Sequence, residues 1–355
     1  MSDPTYALLL GFLTAFALTY AIIPIIIGVA KERRIYDRPN DRSSHKEPTP
    51  SLGGIGIFAG TVCGIVLWTP IDSFGVLQYI LAAFVLIFLL GILDDLLPIS
   101  PLKKLAGQLL VAIILSYKAG VRLTSFYGIF GIYGLPELAS FCLSILVIVA
   151  IINAFNLIDG INGLAGSIGF LACLVFGTWF FWVGVSSLAV VAFSLAGAVA
   201  AFLRYNFTPA KIFMGDTGSL LMGTVCAILA ISFVETNPKI YPNNPYAFRS
   251  APTIAIAVLI LPLYDTLSVF LRRIAQGRSP FAPDKTHIHH QLLNLGLSHS
   301  TSTGVLLAVN LLFIAVAVGF NNRGFLVVVL SEIGLAFLFS LALFWLPRLK
   351  DRIKK

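Results

Sequence analysis

LQYILAAFVLIFLLGILDDLL, residues 77–97, decides the fold. It runs without a charge from Leu77 to Leu93, and about 20 mostly apolar residues suffice to cross a bilayer as a helix. The two acids that close it, Asp94 and Asp95, would each cost roughly 2.5–3.5 kcal/mol at mid-membrane, so they mark a rim or a polar cavity. The rest of the chain repeats the pattern. Of its 355 residues, 58% are hydrophobic and 11% charged, with a mean hydropathy of +0.92. A soluble domain carries about 25% charged residues, so this inventory excludes a water-exposed globule, and disorder, collagen and disulfide scaffolds with it. Cys63, Cys142, Cys173 and Cys226 all lie in apolar runs without a C-x-x-C pair, which makes them packing residues.

The same ruler places spans near 6–29, 52–69, 77–97, 104–117, 138–156, 160–182, 186–203, 217–234, 252–271, 303–320 and 325–346. The fold class is an all-α polytopic membrane protein, a bundle of 10–11 transmembrane helices in one integral membrane domain over 1–355. No cleavable signal peptide is expected, because the first apolar run is long and Lys31-Glu32-Arg33-Arg34 follows it. The positive-inside rule then puts the N-terminus outside, residues 30–51 in the cytosol and the C-terminus in the cytosol. On that alternation 19 of the 24 Lys and Arg fall on the cytosolic side and 5 outside. The net charge of +8 therefore reflects topology; with no basic stripe on a soluble fold, nucleic acid is not a partner. Residues 118–137, rich in Gly, Tyr and Phe, are expected to form a small external hairpin. Gly56, Gly60 and Gly64 form a small-residue stripe, read as packing within one chain ahead of a homodimer.

Five polar clusters remain, and the alternation puts all five on the cytosolic side, in segments 30–51, 94–104, 153–163, 204–219 and 272–302. They are residues 43–54; Asp94-Asp95 with Lys103-Lys104; Asn153, Asn156, Asp159 and Asn162; Phe213-Met-Gly215-Asp216-Thr217-Gly-Ser219; and Arg272 to His290, ending His287-Ile-His289-His290. Each has a bland alternative. The aspartate pair could be an interfacial cap, but it sits at a helix C-terminus, where the dipole disfavours anions. Asn153, Asn156 and Asp159 recur every third residue and share one helix face. The Gly-Asp-Thr-Gly-Ser run precedes a helix, whose N-terminus attracts phosphate. Three histidines could bind zinc, yet no Cys or second His cluster supports that, and donors to a sugar or pyrophosphate fit better. Arg272 and Arg273 are read equally as topological anchors. His45 and His299 are read as loop histidines. Asn206-Phe-Thr208 matches a glycosylation acceptor but falls on the cytosolic side and is set aside. Hard oxygen ligands, short glycine turns, lysines and arginines without thiols suit Mg²⁺ and phosphate. The reaction class is phosphoryl transfer between a soluble and a lipid phosphate. A secondary transporter would instead place its acids near the midplane on broken helices.

The chain resembles the polyprenyl-phosphate N-acetylhexosamine-1-phosphate transferases, most closely their bacterial WecA/TagO branch. The resemblance rests on Asp94-Asp95, on NAFNLIDGINGL (153–164), on FMGDTGS (213–219) and on SPFAPDKTHIHH (279–290). It implies transfer of GlcNAc-1-phosphate from UDP-GlcNAc to undecaprenyl phosphate, with release of UMP. That would be the first lipid-linked step of an envelope polysaccharide, at the cytosolic face of a bacterial plasma membrane. The same reaction with another UDP-N-acetylhexosamine is the alternative. By motif, Asn156 and Asp216 would hold Mg²⁺, for which Mn²⁺ would substitute. Phe213 would stack on uracil, with Gly215 giving the base room. Lys104 and Asp95 would meet the acceptor phosphate, Asp94 would be the second catalytic carboxylate and Asp159 would support the site. Lys46 would touch the diphosphate; His287, His289, His290 and Arg278 would read the sugar. Two positions depart from the family pattern, Pro98 and Asn162, the second a nucleotide-sugar position in relatives. Asp265 is read as a structural acid.

Overall fold

The computed structural model describes residues 4–36, 48–71, 74–128, 131–240, 244–277 and 287–353. Its helices are α1 (Pro4–Arg33), α2 (Gly53–Trp68), α3 (Phe74–Leu96), α4 (Pro101–Tyr117), α5 (Glu137–Ile158), α6 (Leu164–Trp182), α7 (Ser186–Asn206), α8 (Gly215–Ile240), α9 (Ala251–Val258), α10 (Ile260–Ala275), α11 (Ile288–Asn294), α12 (His299–Phe320) and α13 (Phe325–Ile353). No strand occurs among the described residues. The protein is an all-α, multi-pass membrane protein: eight helices, α1, α3, α5, α6, α7, α8, α12 and α13, are long and apolar enough to span. Every expected segment contains a helix. α2 and α4, with 16 and 17 residues, reach only about 24–26 Å at 1.5 Å per residue.

The ninth expected span, 252–271, is not one helix. It is broken between α9 and α10, which meet at 80°. Pro262 lacks the N–H that a continuous helix would offer to the Val258 carbonyl four residues back, and its ring crowds that carbonyl. Asn310 of α12 supplies the missing donor, its Nδ2 reaching the Ala257 and Val258 carbonyls at 3.2 Å each. In an apolar surrounding an unpaired carbonyl is costly, so this side chain makes the break tenable.

α8 is the axis. Its apolar window is 94% buried in protein, and it packs on α2, α3, α5 and α6. α13 turns Leu326, Leu330, Ile333 and Phe337 outward at helical spacing, a lipid-facing stripe. The glycine stripe of α2 faces inward. A Cβ at Gly60 would lie 2.1 Å from Thr19 Oγ1 of α1, and one at Gly64 2.7 Å from Ser194 Oγ of α7. The stripe is used inside the chain and carries no argument for a homodimer. The hairpin expected at 118–137 is a turn closed by one bridge, Ser125 to Gly134, with Leu135 N–H donating to Thr124 O at 2.9 Å.

Candidate active site

One end of the bundle gathers the described polar clusters. Small residues let α8 reach it. A Cβ on Gly91 of α3 would meet the Thr217 backbone at 2.4 Å, so α3 and the start of α8 touch main chain to main chain. One turn later Asp95 caps α8: its carboxylate accepts Asp216 N–H at 2.7 Å, Thr217 N–H at 3.0 Å and Thr217 Oγ1–H at 2.5 Å. A carboxylate at a helix N-terminus is favoured by the free amides and the dipole. Gly215 turns into α8 with φ +71°, and a Cβ there would strike Ser51 O at 2.2 Å and both Asp95 oxygens at 2.7 Å. Gly215 therefore answers a packing demand. Phe213 is tied to the segment before α2: its N–H donates to Pro50 O at 2.7 Å and its carbonyl accepts Gly53 N–H at 2.9 Å. Its ring is half-buried.

Lys104, in the first turn of α4, sits where three oxygens converge. Its Nζ is 3.0 Å from Asp94 Oδ2, 2.9 Å from Asp216 Oδ2 and 3.2 Å from Asn156 Oδ1. Asp94 also accepts Ile99 N–H at 2.9 Å. Asn156 donates to Asp216 and, at 3.0 Å, to Ser219 Oγ. One turn earlier on α5, Asn153 and Gln108 of α4 exchange hydrogen bonds at 2.7 and 3.3 Å. The two aspartates are held differently: Asp94 pairs with Lys104, while Asp95 receives the start of α8. Asp159, just past α5, faces Asp216 and Asp95. Burial chiefly, then those two charges, pushes its carboxyl up to about 7.

Asn162 is a tie between loops. Its Nδ2 donates to Thr208 Oγ1 at 3.2 Å, its N–H to His299 Nδ1 at 3.4 Å, and its carbonyl accepts Thr303 Oγ1–H at 3.0 Å. His299 is thus more than a loop histidine. Asn206 is buried, with Oδ1 on Gly163 N–H at 2.7 Å and Nδ2 on Ile212 O at 2.9 Å, which leaves no side-chain group for a glycan. The histidines cluster: the His289 ring lies 4.4 Å from that of His290 and 5.6 Å from that of His287. His289 is turned inward, 1% exposed, against Gly160, where a Cβ would lie 2.1 Å from its Nε2. Its pKa falls to about 3, mainly through burial, against the pull of Asp265 and with the neighbouring histidines adding. Asp265 is the acid that the sequence reading took as structural and gave no part in the chemistry. It is fully buried and holds both His287 Nδ1 and Ile288 N–H at 2.8 Å. Its signal was a lone acid inside an apolar span, which asks for a partner. Lys46, Arg278 and the 279–286 part of the fifth cluster lie outside the described residues.

Among the described residues no three His, Cys, Asp or Glu are grouped to hold a metal. A metal here would draw on Asp216, Asp94 and the Asn156 amide oxygen, with substrate oxygens completing it. That set suits Mg²⁺, which binds through one or two carboxylates plus phosphates. The oxygens already converge on a cation, the Lys104 ammonium.

A multi-pass helical bundle with acids, a lysine and amides gathered at one end suits the membrane-embedded transferases of phosphorylated substrates. Comparison with known proteins gives the family. Residues 77–234 match the model of glycosyl transferase family 4, a stretch that contains Asp94, Lys104, Asn156 and Asp216. A probable undecaprenyl-phosphate N-acetylglucosaminyl 1-phosphate transferase of Bacillus subtilis (strain 168) is 32% identical over 318 residues, 86% of this chain and 83% of the relative. A decaprenyl-phosphate N-acetylglucosaminephosphotransferase of Mycobacterium tuberculosis (strain H37Rv) is 33% identical over 321 residues, covering 83% and 78%. An undecaprenyl-phosphate alpha-N-acetylglucosaminyl 1-phosphate transferase of Escherichia coli (strain K12) is 30% identical over 283 residues, covering 76% and 72%. The chain belongs to glycosyl transferase family 4, in its polyprenyl-phosphate N-acetylhexosamine-1-phosphate transferase group.

Proposed function

We propose that this protein transfers GlcNAc-1-phosphate from UDP-GlcNAc to undecaprenyl phosphate, giving undecaprenyl-diphosphate-GlcNAc and UMP. The observation that carries the reading is the Lys104 ammonium, held among Asp94, Asp216 and Asn156 in a chain whose relatives bear that activity in their names. The reaction joins two anions, so the protein must align them and offset their repulsion, which dominate phosphoryl transfer generally. Lys104 would neutralise the acceptor phosphate, and Asp94, 3.0 Å from its Nζ, would orient it. A phosphate monoester has its second pKa near 6, so the acceptor is already mostly dianionic at about pH 7 and needs little general-base help. An acceptor oxygen attacks the sugar-bearing phosphorus, the bond from that phosphorus to the UMP oxygen breaks, and UMP leaves with the electron pair. Both members of the aspartate pair are engaged, which supports the direct route. Asp95 is held by three donors, and Asp94 by Lys104 and Ile99 N–H. Mg²⁺, when bound, would offset pyrophosphate charge.

The site end is read as cytosolic, because 19 of the 24 basic residues fall on its side of the alternation. The membrane is then a bacterial plasma membrane. A reporter cysteine placed at 240–245 should be labelled from outside, and one at 287–290 only after the inner face is opened.

The decisive assay uses purified protein, radiolabelled UDP-GlcNAc and undecaprenyl phosphate. Label should enter the lipid phase with Mg²⁺ or Mn²⁺ and stop with EDTA. Absence of labelled lipid would reject the substrates, and full activity in EDTA would reject the metal. Omitting the acceptor tests the direct route: stoichiometric UMP with label left on the protein would replace it by a covalent one.

A further inference from the structure

We infer that Asp265 is the positioning residue of the histidine run: it anchors the start of α11 and fixes His287 with its proton on Nδ1. The inference extends the proposed function, since it concerns how the same site meets a nucleotide-sugar. Asp265 stands on α10, the half-helix beyond the 80° break, and is fully buried. Its two oxygens divide between two adjacent groups, Oδ1 accepting Ile288 N–H and Oδ2 meeting His287 Nδ1, each at 2.8 Å. An amide N–H can only donate, and a carboxylate with both oxygens so engaged acts as acceptor to each, so Nδ1 carries the hydrogen. The partner of one imidazole nitrogen sets what the other presents. Nε2 of His287 is then the nitrogen left for a ligand, an acceptor in the neutral ring and a donor once the ring is charged. The anchor also sets the neighbours. His287 precedes α11 directly, its ring lies parallel to that of His289 at 14°, and His289 rests on Gly160, next to Asp159. A buried acid on α10 thereby docks the histidine segment against the α5–α6 turn, where the site carboxylates begin.

Asp265→Asn is a near-isosteric probe. Its Oδ1 still accepts Ile288 N–H, but its NH₂ now donates toward Nδ1 and drives the ring proton to Nε2. Packing and both hydrogen bonds survive while the outward nitrogen of the neutral ring changes from acceptor to donor. The experiment uses the full-length protein in detergent and measures thermal midpoint, UMP affinity and kcat/KM for UDP-GlcNAc in D265N, H287A and the double variant. The expected result is an unchanged midpoint, UMP affinity within twofold of the parent, and kcat/KM lowered at least tenfold in D265N. The double variant should be no worse than H287A alone, because both act through one imidazole. Independent multiplication of the two losses, or full activity in D265N, would overturn the tautomer assignment.

Hydrogen exchange of the peptide spanning 287–294 reads the anchor without turnover. Asp265→Ala should speed its exchange at least tenfold, and unchanged exchange would overturn the anchor. If the parent protein fails to process UDP-GlcNAc, the proposed reaction falls. The exchange result still upholds or rejects Asp265 as the anchor.

Discussion

Each end of α8 is held by a carboxylate with three donors, and only one end has charge to spare. At the far end Glu235 accepts Thr124 N–H at 2.7 Å, Thr124 Oγ1–H at 2.8 Å and the Tyr127 hydroxyl. That carboxylate pins the 118–136 loop to the bundle, and its donors are an amide and two hydroxyls. At the site end Asp95 accepts an equal number of donors from α8 itself. Around it, however, stand Asp94, Asp159 and Asp216, with Lys104 bridging two of the three. The acceptor chemistry is alike; the difference is surplus negative charge. The satisfied end is architecture, and the site end, with more carboxylates than cations in contact among the described residues, is where the proposed Mg²⁺ would offset charge.

The comparison breaks or sharpens first on activity. Lys104→Ala and Asp216→Asn should each lower transfer by about 10²–10³-fold, the scale for losing one preorganised electrostatic partner. Glu235→Gln should stay within about twofold of the parent in the same initial-rate assay. An equal loss at Glu235 would erase the distinction between the ends. Stability comes next. Asp95→Ala and Glu235→Ala each strand three donors, so thermal unfolding in detergent should report about 1–3 kcal/mol lost in both, with transfer lost only at Asp95. Gly215→Ala should cost at least about 1–2 kcal/mol from the left-handed backbone alone, before the Ser51 contact is counted. A midpoint equal to the parent's would show that this helix start is not fixed.

The last effect is a pH slope. Asp159 has its pKa raised by the fold to about 7, so the fold favours its protonated form. The stability that this contributes is complete below the ordinary carboxylate pKa of about 4. It is lost as pH rises through about 7. In metal-free protein the thermal midpoint should fall over that window, and Asp159→Asn should flatten the fall. A slope unchanged by the substitution would assign it to another group.

Much of this was legible before any coordinates. The apolar ruler found a helix at every expected span, because lipid leaves the backbone no alternative. Gathering of the acids at one end followed from alternation. What stayed hidden was azimuth and long-range pairing. Asp94 and Asp95 are adjacent in sequence but point about 100° apart on a helix, and no local pattern says which faces Lys104. The break in the ninth span carried a signal in Pro262, but many membrane helices absorb a proline; the deciding partner, Asn310, lies 48 residues later in the chain. Asp265 and His287 meet across 22 residues, a separation that no local pattern reports. The inward turn of His289 follows from Gly160, and a glycine advertises space without saying what fills it.

The near-complete enclosure of α8 also has a consequence in time. A membrane protein is made in order, and α2, α3, α4 and α5 reach the bilayer before residue 215 exists. Until α8 arrives, Asp95 has no helix start to receive, Asn156 has no Asp216, and the cleft meant for a protein helix borders lipid or water. Chains released before Gly215 should therefore be recognised as unfinished by the quality-control proteases of their membrane more readily than chains that carry all of α8. The helix that closes the carboxylate cluster is also the one that fills the centre of the bundle.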